Sequence, residues 1–115
     1  MIDFTASWCG PCRAEMPNVV EMYDKYHDKG LEVICVGYED ETDNLKKMIE
    51  EDKIVFPMIS EELSKDDLRG LPSEHYGIRG IPEIFLIGKD GRIIATGLRG
   101  PTLRDNVEKQ FVDAK

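Results

Sequence analysis

The chain has 115 residues, 41% apolar and 33% charged, with a formal net charge of −8 at pH 7. That length supports one modest core, so residues 1–115 are read as a single domain. The acidic balance, with no basic stretch to offset it, argues against nucleic acid and anionic membranes as partners, and no apolar run approaches the length of a membrane span.

Met1-Ile2-Asp3-Phe4 already reads as strand, so the chain is expected to open inside a fold, any targeting segment lying upstream. This first strand, residues 1–6, runs into Trp8-Cys9-Gly10-Pro11-Cys12. From Cys12 onward Met16, Val19, Val20, Tyr23 and Tyr26 recur at helical spacing, and Gly30 is placed to end the helix. Pro17 lies inside that run and should kink it, because it removes one backbone donor. Leu31–Tyr38 is nearly continuous in apolar and β-branched residues, the pattern of a strand buried on both faces. Cys35 sits in its middle and reads as a small buried hydrophobe without reactivity.

A second helix is expected from Thr42 or Asp43 to about Asp52, with Leu45, Met48 and Ile49 turned inward. Ile54–Ile59 is apolar but holds Pro57, so it is at most a short edge piece. Residues 60–76 are acidic and irregular, with helical turns expected after Ser64 and around Pro72–Tyr76. Glu83–Gly88 reads as strand, Asp90-Gly91 as a hairpin turn, and Arg92–Leu98 as the returning strand. Pro101 and Thr102 open a last helix carrying Leu103, Val107 and Phe111. A strand–helix–strand crossover is parallel and a hairpin antiparallel, so the order implies an α/β fold with a four-stranded mixed sheet, helices on both faces.

The chemistry concentrates at Cys9 and Cys12. Two thiols two residues apart at a helix start can close and reopen a disulfide, a two-electron couple made from protein atoms alone. Unpaired N–H groups and the positive end of the helix dipole favour the thiolate at Cys9, the form that attacks disulfides. Cys12, one turn in, is shielded and placed to attack a mixed disulfide formed by Cys9. A structural bridge and half of a zinc site are the alternatives. Zinc takes four ligands, and the remaining Cys35, His27 and His75 have no paired spacing, so neither a metal nor an organic cofactor is expected.

With Cys-Gly-Pro-Cys at the first strand–helix junction and Ile81-Pro82 opening a later strand, the chain resembles the thioredoxin fold over essentially its whole length. Pro17, eight residues after Cys9, matches that family's kinked helix, and Pro82 matches its cis-proline. Cys12-Arg13-Ala14-Glu15-Met16-Pro17, the connector before Tyr76–Pro82 and the run Phe85–Gly91 are similar to the TlpA-like branch of extracytoplasmic thiol–disulfide oxidoreductases. The resemblance implies disulfide-bearing protein substrates, an upstream dithiol reductant, a monomer, and a periplasmic or other extracytoplasmic site, membrane-tethered in the full-length protein. The cytoplasm is the alternative. It also implies a substrate-facing rim of Trp8, Gly10, Pro11, Gly80, Ile81 and Pro82, although Trp8 also admits a purely packing role. The likeness implies a reductant of protein disulfides; an oxidative direction and a non-catalytic binding module with an inert bridge are the alternatives.

Two acids are candidate proton handlers. Asp3, six residues before Cys9, occupies the position of the buried carboxylate of thioredoxins; between Ile2 and Phe4, desolvation should raise its pKa toward that of a general base. A strand end open to water is the other reading. Glu15, three residues after Cys12, shares its helical face and matches the active-site glutamate of TlpA-like proteins, against the alternative of a solvated first-turn acid. Relatives usually carry a further strand before the motif strand, so Leu31–Tyr38 is expected at a sheet edge. Glu83, just after Pro82, stands where many relatives have an uncharged residue; facing the groove it would raise the Cys9 pKa and repel acidic substrates, and an exposed strand residue is the equal alternative.

Overall fold

A computed structural model of the protein describes residues 1–64 and 66–112. Five strands form one mixed sheet: β1 (Ile2–Thr5), β2 (Ile34–Gly37), β3 (Met58–Ser60), β4 (Glu83–Ile87) and β5 (Ile93–Ala95), in the spatial order β3-β2-β1-β4-β5. β1 runs parallel to β2 and antiparallel to β4; β3 extends the parallel side and β5 the antiparallel side. The helices are α1 (Gly10–Tyr26), α2 (Thr42–Glu51), α3 (Pro72–His75) and α4 (Pro101–Val112).

The expected four strands become five, and β2 is interior rather than an edge. Pro57 explains why. It has no N–H to give, but its carbonyl still accepts the N–H of Cys35 at 2.9 Å, so pairing begins there and continues through β3. β2 is also shorter than Leu31–Tyr38, starting at Ile34. The returning strand is likewise short. Its register shifts at Leu86/Ile87, and the N–H of Gly97 goes to the Glu83 carboxylate at 2.8 Å instead of to a strand. α1 ends at Tyr26, and a 3-10 turn over His27–Lys29 carries the chain to Gly30, whose φ of 112° suits a residue without Cβ. In the acidic connector a 3-10 turn occupies Glu61–Ser64; the turn expected after Ser64 begins at Lys65, outside the described residues.

Strand alternation sorts the side chains between the two faces. On one face Val33, Cys35, Ile84 and Leu86 pack with Met16, Val19 and Met22 of α1, Leu45 and Met48 of α2, and Leu103 and Val107 of α4. A Cβ on Gly37 would overlap the Leu45 side chain, so glycine is what lets α2 approach β2 this closely. On the other face Phe4, Val36 and Phe85 meet Tyr76, Ile78 and Ile81 of the connector. Its rings form a triangle, Phe4–Phe85 at 5.9 Å, Phe4–Tyr76 at 5.4 Å and Tyr76–Phe85 at 5.0 Å between centroids. This second cluster braces the Tyr76–Pro82 segment against the sheet, and so sets where the cis-proline stands.

Candidate active site

β1 delivers the chain directly into the helix that carries the two thiols. Cys9 is the N-cap of α1, with extended φ and ψ of −91° and 106°, and Pro11 occupies the first turn, where an N–H would have no helical partner. Cys9 and Cys12 are joined in a disulfide, with Cα atoms 5.2 Å apart, and both are buried. The Cys12 N–H points at Sγ of Cys9 from 3.2 Å, and the carbonyl oxygen of Ile81 lies 3.8 Å from the same sulfur. The Ile81–Pro82 bond is cis, and Ile81 packs on Ala6, Cys9 and Cys12. Pro82 itself is buried, whereas Gly10, Pro11 and Gly80 are exposed around it. Trp8 is 58% exposed, yet its ring is oriented: Nε1 donates to the Glu39 carbonyl at 2.9 Å.

The two acids lie in opposite environments. Asp3 is 2% exposed; Oδ2 takes the S–H of Cys35 at 3.8 Å, and Oδ1 is buried without a partner. Burial pushes its pKa up to about 7; the Cys35 hydrogen bond opposes that rise, and the negative charge of Glu15 adds to it. Burial, reinforced by Asp3, pushes the Cys35 thiol well above its ordinary range. Glu15 is only partly buried, and its Oε1 accepts the N–H of Gly100 at 2.7 Å and the Asn18 amide at 3.3 Å. Its carboxylate thus ties α1 to the loop before α4. From that loop Arg99 reaches the Pro82 carbonyl at 3.4 Å. The Glu83 carboxylate is held by Gly97 in the same loop.

Two contacts were not foreseen. Cys35 touches Asp3 because parallel pairing sets the two residues side by side, a register that composition does not encode. Arg13, unassigned from its sequence context, forks onto Asp52 at 3.0 and 3.2 Å and joins α1 to the end of α2. Among the described residues no group of three or more His, Cys, Asp or Glu is placed to hold a metal ion, and no helix is long and apolar enough to cross a membrane.

A cysteine pair at a helix start, beside a cis-proline at the end of a mixed sheet, defines the redox-active thioredoxin class. The family model for the AhpC/TSA family matches residues 1–96, and the chain belongs to that family, as a TlpA-like member of the thioredoxin superfamily. Thiol-disulfide oxidoreductase ResA of Bacillus thuringiensis subsp. konkukian is 34% identical over 109 residues, covering 94% of this chain and 58% of that protein. Thiol:disulfide interchange protein HelX of Rhodobacter capsulatus is 29% identical over 111 residues, covering 96% and 57%. The chain therefore spans somewhat more than half the length of these curated relatives. Among solved structures, the thioredoxin domain of a thiol-disulfide oxidoreductase from Bacteroides vulgatus superposes with a TM-score of 0.82 at 34% identity, over 95% of this chain and 76% of that one.

Proposed function

We propose that the chain, working as one domain, is a thiol–disulfide oxidoreductase that reduces protein disulfides. The observation that carries this reading is the Cys9 sulfur itself: bonded to Cys12, faced by a backbone N–H and lying beside the Ile81 carbonyl at the cis-proline. An N–H aimed at the sulfur favours the thiolate that begins exchange. In the reduced enzyme, the Cys9 thiolate attacks one sulfur of a target disulfide, forming a mixed disulfide and releasing the other sulfur as thiolate. Cys12 then attacks Cys9, its proton passing to the Asp3 carboxylate. The target leaves with both thiols reduced, and the enzyme keeps the Cys9–Cys12 bond. An upstream dithiol returns the two electrons, so the cycle calls for no metal or organic cofactor.

Trp8, Gly10, Pro11, Gly80, Ile81 and Pro82 form the rim that an extended segment of the target meets. The TlpA-like resemblance supports an extracytoplasmic site of action. The test is insulin-disulfide reduction by the reduced protein. Cys9→Ser should lose it altogether, and Cys12→Ser should trap a covalent complex with the target. A Cys9→Ser variant that keeps wild-type turnover ends the proposal. The equilibrium potential against glutathione decides direction, a value well below that of glutathione marking a reductant.

A further inference from the structure

The buried carboxylate on β1, the strand that leads into the cysteine motif, has an uncommon neighbour. Carboxylates at 2% exposure ordinarily meet a cation or several N–H donors, but among the described residues Asp3 has one partner, the neutral thiol of Cys35. The pairing is built into the sheet: Asp3 of β1 and Cys35 of β2 are register partners, with Ile84 of β4 opposite Asp3 and Met58 of β3 beyond Cys35. Leu103 and Val107 of α4 close the same core. From α1, Glu15 is the charged group that acts on Asp3, and the thiols it serves are bonded to each other.

We propose that Cys35 is a positioning residue for the exchange reaction: its S–H holds Oδ2 of Asp3 across the strands and leaves the unpartnered Oδ1 to take the proton of the resolving thiol. The inference rests on the oxidoreductase reading above. A cation in this place would hold the carboxylate ionised far below neutrality, where it has little hold on a proton. A buried thiol is a weak, neutral donor, so it orients the carboxylate while lowering its proton affinity far less than a cation would. Its own proton is secure, because burial and the facing carboxylate both oppose ionisation of Cys35. This differs from an inert core cysteine, whose replacement by any residue of similar size leaves the pH profile alone.

The experiment follows the acid limb of mixed-disulfide resolution in single-turnover mode for wild type, Cys35→Ala and Cys35→Ser. The Asp3 carboxyl is titrated in parallel by carbon NMR in the oxidised protein. Cys35→Ala should move both midpoints upward by about 0.5 to 1 pH unit, the scale of one hydrogen bond to a carboxylate. Cys35→Ser, which keeps a donor, should restore most of the shift, and the shift should vanish in an Asp3→Asn background. Unmoved midpoints in Cys35→Ala, or equal shifts in the Ala and Ser variants, overturn the proposal even if both variants lose thermal stability. If Cys35→Ala does not fold, Cys35→Val and Cys35→Thr, alike in shape and differing by a hydroxyl, make the same comparison. Wild type without any exchange activity overturns the oxidoreductase reading and this inference together; active wild type whose profile ignores residue 35 overturns this inference alone.

Discussion

The floor of the sheet around Asp3 and the rim around the disulfide are made by different means. The floor is strand against strand: Asp3, Cys35 and Ile84 are held in register by backbone ladders and sealed by α1 and α4, all at 2% exposure or less. The rim is helix start against loop. Trp8, Gly10, Gly80 and Arg99 are exposed, and single hydrogen bonds such as Trp8 to Glu39 and Arg99 to Pro82 hold its parts. A charge in the floor has no water to soften it, so protonation there moves both stability and rate. A group on the rim exchanges one polar environment for another, so it alters target binding and little else. Floor substitutions should therefore change pH dependence, and rim substitutions should change affinity.

The largest expected effect sharpens that contrast through stability. A rise of the Asp3 pKa from 3.8 to about 7 on folding means the folded state holds the proton more tightly than the unfolded chain does. The contribution of Asp3 to stability is then greatest below pH 4, falls as pH rises toward 7, and stays low above it, by on the order of 4 kcal/mol. Asp3→Asn has no such slope, so its gain in thermal stability over wild type should be large at pH 8 and small at pH 4. Equal differences at both values would place Asp3 in water, with the rim.

Next in size is the rate. Asp3→Asn should slow resolution of the mixed disulfide by about 100-fold at neutral pH, the low end of what a positioned general base contributes, while the first attack by Cys9 is less affected. Glu15 lies between the two regions. Glu15→Ala should cost about 1 kcal/mol by freeing Gly100. Glu15→Gln keeps an acceptor for that N–H, so a slowed resolution step in this variant assigns Glu15 a proton role, and a normal one confines it to holding the loop. The smallest effect belongs to Trp8→Ala, which should raise KM for a protein substrate by roughly 3- to 10-fold with kcat nearly unchanged. A large fall in kcat instead would bring Trp8 into the floor's chemistry.

Much of this arrangement was legible along the chain because its signals are local. The two thiols three positions apart, the helix periodicity from Met16 to Tyr26 and the Asp90-Gly91 turn each involve neighbours within one or two turns of backbone. Residues whose roles depend on distant partners were harder to read. Ile54–Ile59 read as at most a short edge piece, and β3 is one, three residues at the sheet edge; what the chain did not show is that pairing starts at the carbonyl of Pro57, which leaves its missing donor unneeded. Glu83 read either as a groove charge or as an exposed strand residue, and what only the fold supplied is its partner, the N–H of Gly97 fourteen residues on.

By itself, then, the sequence determined the helices, the hairpin and the position of the dithiol, since backbone propensity and hydrophobic period act over a few residues. Tertiary structure alone decided that Asp3 faces Cys35, that β2 is covered by β3, and that Glu15 reaches the loop before α4. Those outcomes follow from strand register and from which side of the sheet each crossover takes. Register is a collective property of the packed sheet, and only the packed sheet excludes the water that would otherwise leave Asp3 an ordinary acid.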